Sequence, residues 1–127
     1  MIKTPIIEIM INRSPQNRFL ISIIIPTFNH ASFLKKALTS VANQTYLNWE
    51  LIFWDNQSTD SSKAIFESYN DSRLKYFFAP DHTDLGGARA NAFKYLCGDF
   101  IAVLDADDMW LPTKLEKQIK LFTSDDI

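Results

Sequence analysis

The chain is poor in the residues that would make it a scaffold of cross-links or a low-complexity polymer: among 127 residues there are one cysteine, three glycines and five prolines. A lone thiol, Cys97, excludes an internal disulfide and a cysteine-rich zinc cluster, and it points to a reducing compartment, the cytoplasm. Charge of one sign is also missing. Thirteen Lys and Arg stand against fifteen Asp and Glu, a net charge of -2, so the basic footprint of a nucleic-acid-binding protein is absent and nucleic acid is excluded as a partner. No apolar run approaches the ~20 residues of a membrane-spanning helix. The apolar patch at residues 6–11 is broken by Glu8 and no small-residue cleavage site follows it, so it is not read as a signal peptide.

What is present suits one globular domain. Hydrophobic residues make up 46% and aromatics 13%, enough to build a core in a chain of this length. Residues 1–19 read as a lead-in that ends in the polar turn Asn12-Arg13-Ser14-Pro15-Gln16-Asn17, and residues 20–127 as the domain. There, short apolar runs alternate with helical periodicity. The run 20–25 is rich in β-branched residues and stops at Pro26, as a strand buried on both faces would. Phe33, Leu34, Ala37, Leu38 and Val41 then form the stripe of an amphipathic helix. The unit recurs: strands are predicted at 49–54, 73–78 and 100–104. After the second, Ser58, Thr59 and Asp60 are ready helix caps. After the third, Leu85, Ala88, Ala92 and Leu96 mark a helix closed by Gly98. After the fourth, Leu111, Leu115, Ile119 and Phe122 mark a helix with Pro112 in its first turn. Alternating strands and helices predict an α/β fold with a mainly parallel sheet and helices on both faces.

In such sheets the loops leaving the carboxyl ends of the strands share one edge, where ligands bind. Three polar clusters fall there: Pro26-Thr27-Phe28-Asn29, Asp55-Asn56-Gln57-Ser58 and Asp105-Ala106-Asp107-Asp108. In the last, three carboxylates lie within four residues directly after an apolar strand. Like charges ~4 Å apart repel by roughly 4 kcal/mol at an effective dielectric near 20, so a close pair in a crevice calls for a cation or a proton. Oxygen ligands favour Mg2+ or Mn2+ bridging to phosphate. An acidic turn capping the next helix is the competing reading. Asp55 and Asn56 suit either a base or ribose contact or an Asx-type turn. Arg89 suits a diphosphate or a solvated helix face. His30 and His82 lack metal-ligand spacing and read as surface loop residues. Cys97 reads as a small buried hydrophobe. Trp49 and Trp54 read as core, whereas Trp110 follows the acidic loop and is the aromatic placed to meet a sugar. Gly86-Gly87 lacks the G-x-G-x-x-G context of a phosphate loop.

Taken in order, Ile21-Ser22-Ile23-Ile24-Ile25-Pro26-Thr27-Phe28-Asn29, Ser40-Val41-Ala42-Asn43-Gln44-Thr45, residues 50–60, Gly86-Gly87-Ala88-Arg89, Gly98-Asp99-Phe100-Ile101-Ala102, Leu104-Asp105-Ala106-Asp107-Asp108-Met109-Trp110 and residues 112–118 resemble the GT-A-type glycosyltransferases, specifically the inverting family 2 that uses nucleotide-diphosphate sugars. The resemblance implies a Rossmann-like nucleotide-binding half, cut before the acceptor part. It assigns Pro26 and Thr27 to the nucleotide pocket, and Asp55 and Asn56 to the acidic pair after the second strand. The second of these is the uracil-reading position, here a neutral Asn. Arg89 matches the family's Ala-Arg-Asn word, with Ala90 in place of its Asn. Asp105 and Asp107 match the Asp-x-Asp motif, Asp107 binding the metal and Asp105 contacting ribose or metal. The implied activity is metal-dependent sugar transfer with inversion, from a nucleotide-diphosphate sugar with UDP as the expected nucleotide. The acceptor is the hydroxyl of a glycan or lipid-linked acceptor in polysaccharide assembly, and the general base is expected beyond Ile127. Peripheral association with a membrane surface and self-association through an incomplete sheet are compatible with this reading. The alternative is a non-catalytic nucleotide-binding or interaction module of the same fold.

Overall fold

The computed structural model describes residues 18–123, so the lead-in read over residues 1–19 lies almost wholly outside the described residues. The elements alternate as β1 (Ile21–Thr27), α1 (Ala31–Ala42), β2 (Trp49–Asp55), α2 (Ser62–Glu67), β3 (Leu74–Phe78), α3 (Leu85–Phe93), β4 (Phe100–Val103) and α4 (Lys114–Thr123). The four strands form one parallel sheet in the order β3-β2-β1-β4. This is the expected α/β fold. Every residue of β1 and of β2 is buried, because both central strands are covered on both faces.

One face of the sheet, with Ile21, Ile23, Ile25, Leu51 and Phe53, packs against Leu34 and Leu38 of α1, Phe66 of α2, and Leu115 and Ile119 of α4. The other face presents Ile24, Ile52 and Trp54 to Ala88 and Ala92 of α3. Small residues on α3 let its backbone approach the sheet closely. Phe33, expected on the buried stripe of α1, is half exposed at its margin.

Pro26 lies inside β1 rather than ending it. Leu20 and Ile24 accept hydrogen bonds from the β4 side, whereas Ile21 and Thr27 bond toward β2. Pro26 shares the parity of Ile24, so its missing N–H faces the β4 side. There β4 makes its last bond from Leu104 N–H to Ile24 C=O. The proline therefore costs the ladder nothing, and the strands part at that point. Since the chain moves from β1 outward to β2 and β3 and then returns to the opposite side for β4, the gap beyond β1 and β4 is the topological switch point of the sheet.

Three local expectations change. Gly98 does not close α3, which ends at Phe93 with Lys94 as a right-handed cap. Gly98 lies where its N–H donates to Ser22 Oγ at 2.7 Å, and a β-carbon there would stand 2.6 Å from Ser22 N and 2.9 Å from Leu20 O. Its role is close approach between β1 and the entry to β4. Pro112 precedes α4 instead of occupying its first turn. Cys97 is exposed, not buried.

Candidate functional site

The loops after β1 and β2 are locked to each other. Asn29 and Gln57 both adopt positive φ, 54° and 70°, conformations that Asn tolerates better than most residues. From that position Asn29 Oδ1 accepts the N–H groups of Thr59 and Asp60 at 2.8 and 3.3 Å, while Asn29 N–H donates to Ser58 Oγ at 2.9 Å. Asp60 caps two helices at once, accepting from Ala31 N–H at the start of α1 and from Ser62 N–H and Oγ–H at the start of α2. Burial opposes its charge, but these donors outweigh burial and hold its carboxyl below the ordinary range.

The loop after β2 also pins the loop after β3. The Asn56 amide pairs with the main chain of Thr83 at both ends: Nδ2 donates to Thr83 C=O at 2.6 Å and Oδ1 accepts Thr83 N–H at 2.9 Å. His82 Nδ1 meets Asn56 C=O at 2.9 Å, and Gln57 Nε2 donates to the carbonyls of Ala79 and Pro80. Asp55 is buried, with one oxygen on Ser58 N–H and the other on the Tyr76 hydroxyl. Burial and this carboxylate together push the Tyr76 phenol well above its ordinary range. Both oxygens of Asp55 are therefore engaged in holding the turn.

These loops and the start of α3 enclose a cleft of about 440 Å³, lined among others by Pro26, Thr27, Phe28, His30, Asn56 and His82. Thr27 is 2% exposed, and its hydroxyl has no hydrogen-bond partner among the described residues. Nor does His30 Nδ1. Buried polar atoms without partners are costly unless a ligand meets them. The Phe28 and His82 rings are in contact at one side of the cleft, their centroids 4.5 Å apart. Asp84 caps α3 by accepting Gly87 N–H at 2.7 Å. Its carboxylate occupies the helix N-terminus, so Gly86-Gly87 offers no phosphate cradle there.

Of the sequence-predicted residues, Pro26, Thr27 and Asn56 line this cleft. Arg89 and Asp105 meet beside it, with Arg89 Nη2 donating to Asp105 Oδ1 at 3.0 Å. Arg89 Nε is enclosed without a partner among the described residues. Asp107 and Asp108 border a separate depression with Phe33 and Lys36 of α1 rather than the cleft. Trp110 is buried in the core beneath α4 and is no sugar platform. Phe28 and His82 were missed as site residues by sequence reasoning. Their only signal was position in a loop at a strand's carboxyl end, because His82 reaches Asn56 across 26 positions.

The oxygen-only donors of the acidic loop fit Mg2+ or Mn2+ in kind. Among the described residues no group of three or more His, Cys, Asp or Glu gathers to cage an ion.

A family model described as "Glycosyl transferase family 2" matches residues 22–127. The Escherichia coli "UDP-Glc:alpha-D-GlcNAc-diphosphoundecaprenol beta-1,3-glucosyltransferase WfgD" is 39% identical over 109 residues, covering 86% of this chain and 43% of that protein. The structure of S. aureus TarS in complex with UDP superposes with a TM-score of 0.74 at 29% identity, covering 77% of this chain and 30% of that one. The mannosyltransferase PcManGT from Pyrobaculum calidifontis, in complex with GDP-Man and Mn2+, shares the fold, with a TM-score of 0.79 at 22% identity over 90% of this chain and 35% of that one. The chain spans less than half the length of the curated relatives it matches.

Proposed function

The chain belongs to glycosyl transferase family 2, and from that membership we propose that it forms the donor-binding part of an inverting transferase that uses a nucleotide-diphosphate sugar, with UDP as the nucleotide. The observation that carries the proposal is the buried Thr27 hydroxyl, which lacks a partner among the described residues and lines the cleft at the switch point of the sheet. The cleft takes the nucleoside, with Pro26, Thr27 and Asn56 as its walls and the Phe28–His82 pair at its side. Arg89, already turned toward Asp105, supplies the planar donors that suit a diphosphate.

Asp107, together with the oxygen of Asp105 that Arg89 does not engage, would hold a Mn2+ or Mg2+ ion. When bound, that ion neutralises charge developing on the departing nucleoside diphosphate. The chain's own contribution is to bind and orient the donor. A general base is needed to activate the acceptor hydroxyl, and none of the three clusters is assigned that role.

The acceptor is a glycan or lipid-linked saccharide, a reading supported by the lipid-diphosphate acceptor in the name of the E. coli relative. Polysaccharide assembly on the cytoplasmic side, at the membrane surface, follows from it. Among the described residues no helix is long and apolar enough to cross a membrane. Self-association would use β4, which among the described residues pairs on one side only and leaves Ile101 and Val103 exposed.

The test is calorimetric titration of UDP into the chain with Mn2+ and again with EDTA, repeated on Asp105→Ala and Asp107→Ala. Metal-dependent binding that weakens in either variant supports the reading. A folded chain that binds no nucleoside diphosphate, or whose binding ignores both substitutions, overturns it.

A further inference from the structure

Resting on the nucleotide reading of the cleft, we infer that His82, rather than Asn56, reads the base, its Nε2 accepting the N3–H of uracil. The side-chain amide of Asn56 is 5% exposed as part of its residue, and it is held at both ends by the main chain of Thr83, one N–H donating and the oxygen accepting. Turning that amide toward a base would break two bonds of 2.6 and 2.9 Å and release the loop after β3. Asn56 is therefore a positioning residue that holds residues 82 and 83 across the end of β2.

What it positions is an imidazole of defined polarity. His82 Nδ1 lies 2.9 Å from Asn56 C=O. A carbonyl oxygen only accepts, so in the neutral ring Nδ1 carries the hydrogen and Nε2 is left as an acceptor. No protein group among the described residues bonds Nε2, and the residue lines the cleft. The ring is steadied by contact with Phe28, and its loop is held by the Asn56 and Gln57 amides. An acceptor fixed in this way complements the N3–H of uracil. Cytosine presents an unprotonated N3 at the same place, so two lone pairs would oppose each other and the site discriminates against it.

The experiment compares UDP and CDP binding by calorimetry in Mn2+ for the wild-type chain, His82→Asn and His82→Gln. Asn keeps a donor at the Nδ1 position for the Asn56 carbonyl but does not reach as far as Nε2, whereas the Gln carbonyl does reach. His82 is exposed, so both variants should fold, which thermal melting verifies. The wild type is expected to favour UDP by roughly tenfold, His82→Asn to bring the ratio near one, and His82→Gln to restore part of the preference. An unchanged ratio in His82→Asn, or a wild type that binds both nucleotides equally, overturns the assignment while leaving the nucleotide site standing. A wild type that binds neither nucleotide overturns the nucleotide reading and this inference with it.

Discussion

Arg89 Nη2 donates to Asp105 Oδ1 at 3.0 Å, joining α3 to the loop after β4. Both side chains are more than a third exposed, so the pair contributes little to folding. Its value is that a guanidinium and a carboxylate hold each other in place beside the cleft before any ligand arrives. Arg89→Ala is expected to lower UDP affinity in Mn2+ about tenfold or more by removing charge-assisted donors, with little change in melting temperature. Calorimetry and a thermal melt on the same sample check both parts. Unchanged affinity would remove Arg89 from the site.

Thr27→Val tests the carrying observation directly. Valine keeps the shape and removes a buried hydroxyl that has no partner among the described residues. Stability should hold or rise by about 1 kcal/mol, since the unpaired hydroxyl is a cost, while UDP affinity should fall roughly tenfold. Denaturant unfolding and nucleotide titration should therefore move in opposite directions. A fall in both would mean that the hydroxyl supports the fold instead.

Glu50 gives a pH dependence. It is buried in β2 and accepts from Ser22 Oγ at 2.6 Å, Cys97 N–H at 2.7 Å and Lys75 Nζ at 2.9 Å. Burial pushes its carboxyl up, but the donors and the lysine charge outweigh burial and hold it below its ordinary value of 4.5. With the folded value depressed, the unfolded chain binds the proton first as pH falls. The contribution to stability is thus full above the unfolded value and lost as pH drops through 4.5 and on through the folded value. Glu50→Gln should cost about 1–3 kcal/mol at neutral pH and flatten the acid limb, as urea unfolding at pH 7 and pH 4 will show. Equal acid sensitivity in the variant would exclude Glu50 as its source.

Gly98→Ala should destabilise by about 1–3 kcal/mol or more, because the added methyl meets main-chain atoms that have no room to move. Ser22→Ala should cost less, since it creates no clash, although it leaves Glu50 Oε2 and Gly98 N–H each short of a partner. Denaturant midpoints rank the two. The reverse order would place the strain elsewhere.

Much of the fold was legible because it depends on local pattern. The β-branched run in β1, the apolar run in β2 and the 3.6-residue stripe of α1 state which elements form and which sides they bury. Their alternation leaves only a parallel sheet with helices on both faces. The errors fall where partners distant in sequence decide. Pro26 reads as a strand end until β4 is seen to part from β1 there. Gly98 reads as a helix cap until Ser22 is beside it.

The site divides in the same way. By itself the amino-acid sequence determined the residue types at the carboxyl edge of the sheet, the resemblance to a transferase family, and the carboxylates and arginine suited to a metal diphosphate. Those depend on identity and order along the chain. Only the tertiary structure decided which of these groups are free. Asp55 is consumed by Ser58 and Tyr76, the Asn56 amide is held at both ends by Thr83, and Asp105 is engaged in part by Arg89, whereas Thr27 is left without a partner among the described residues and His82 is aligned by Asn56. A hydrogen-bonding group satisfied by a neighbour distant in sequence has no sequence signature, because its availability depends on which partner the fold brings within about 3 Å.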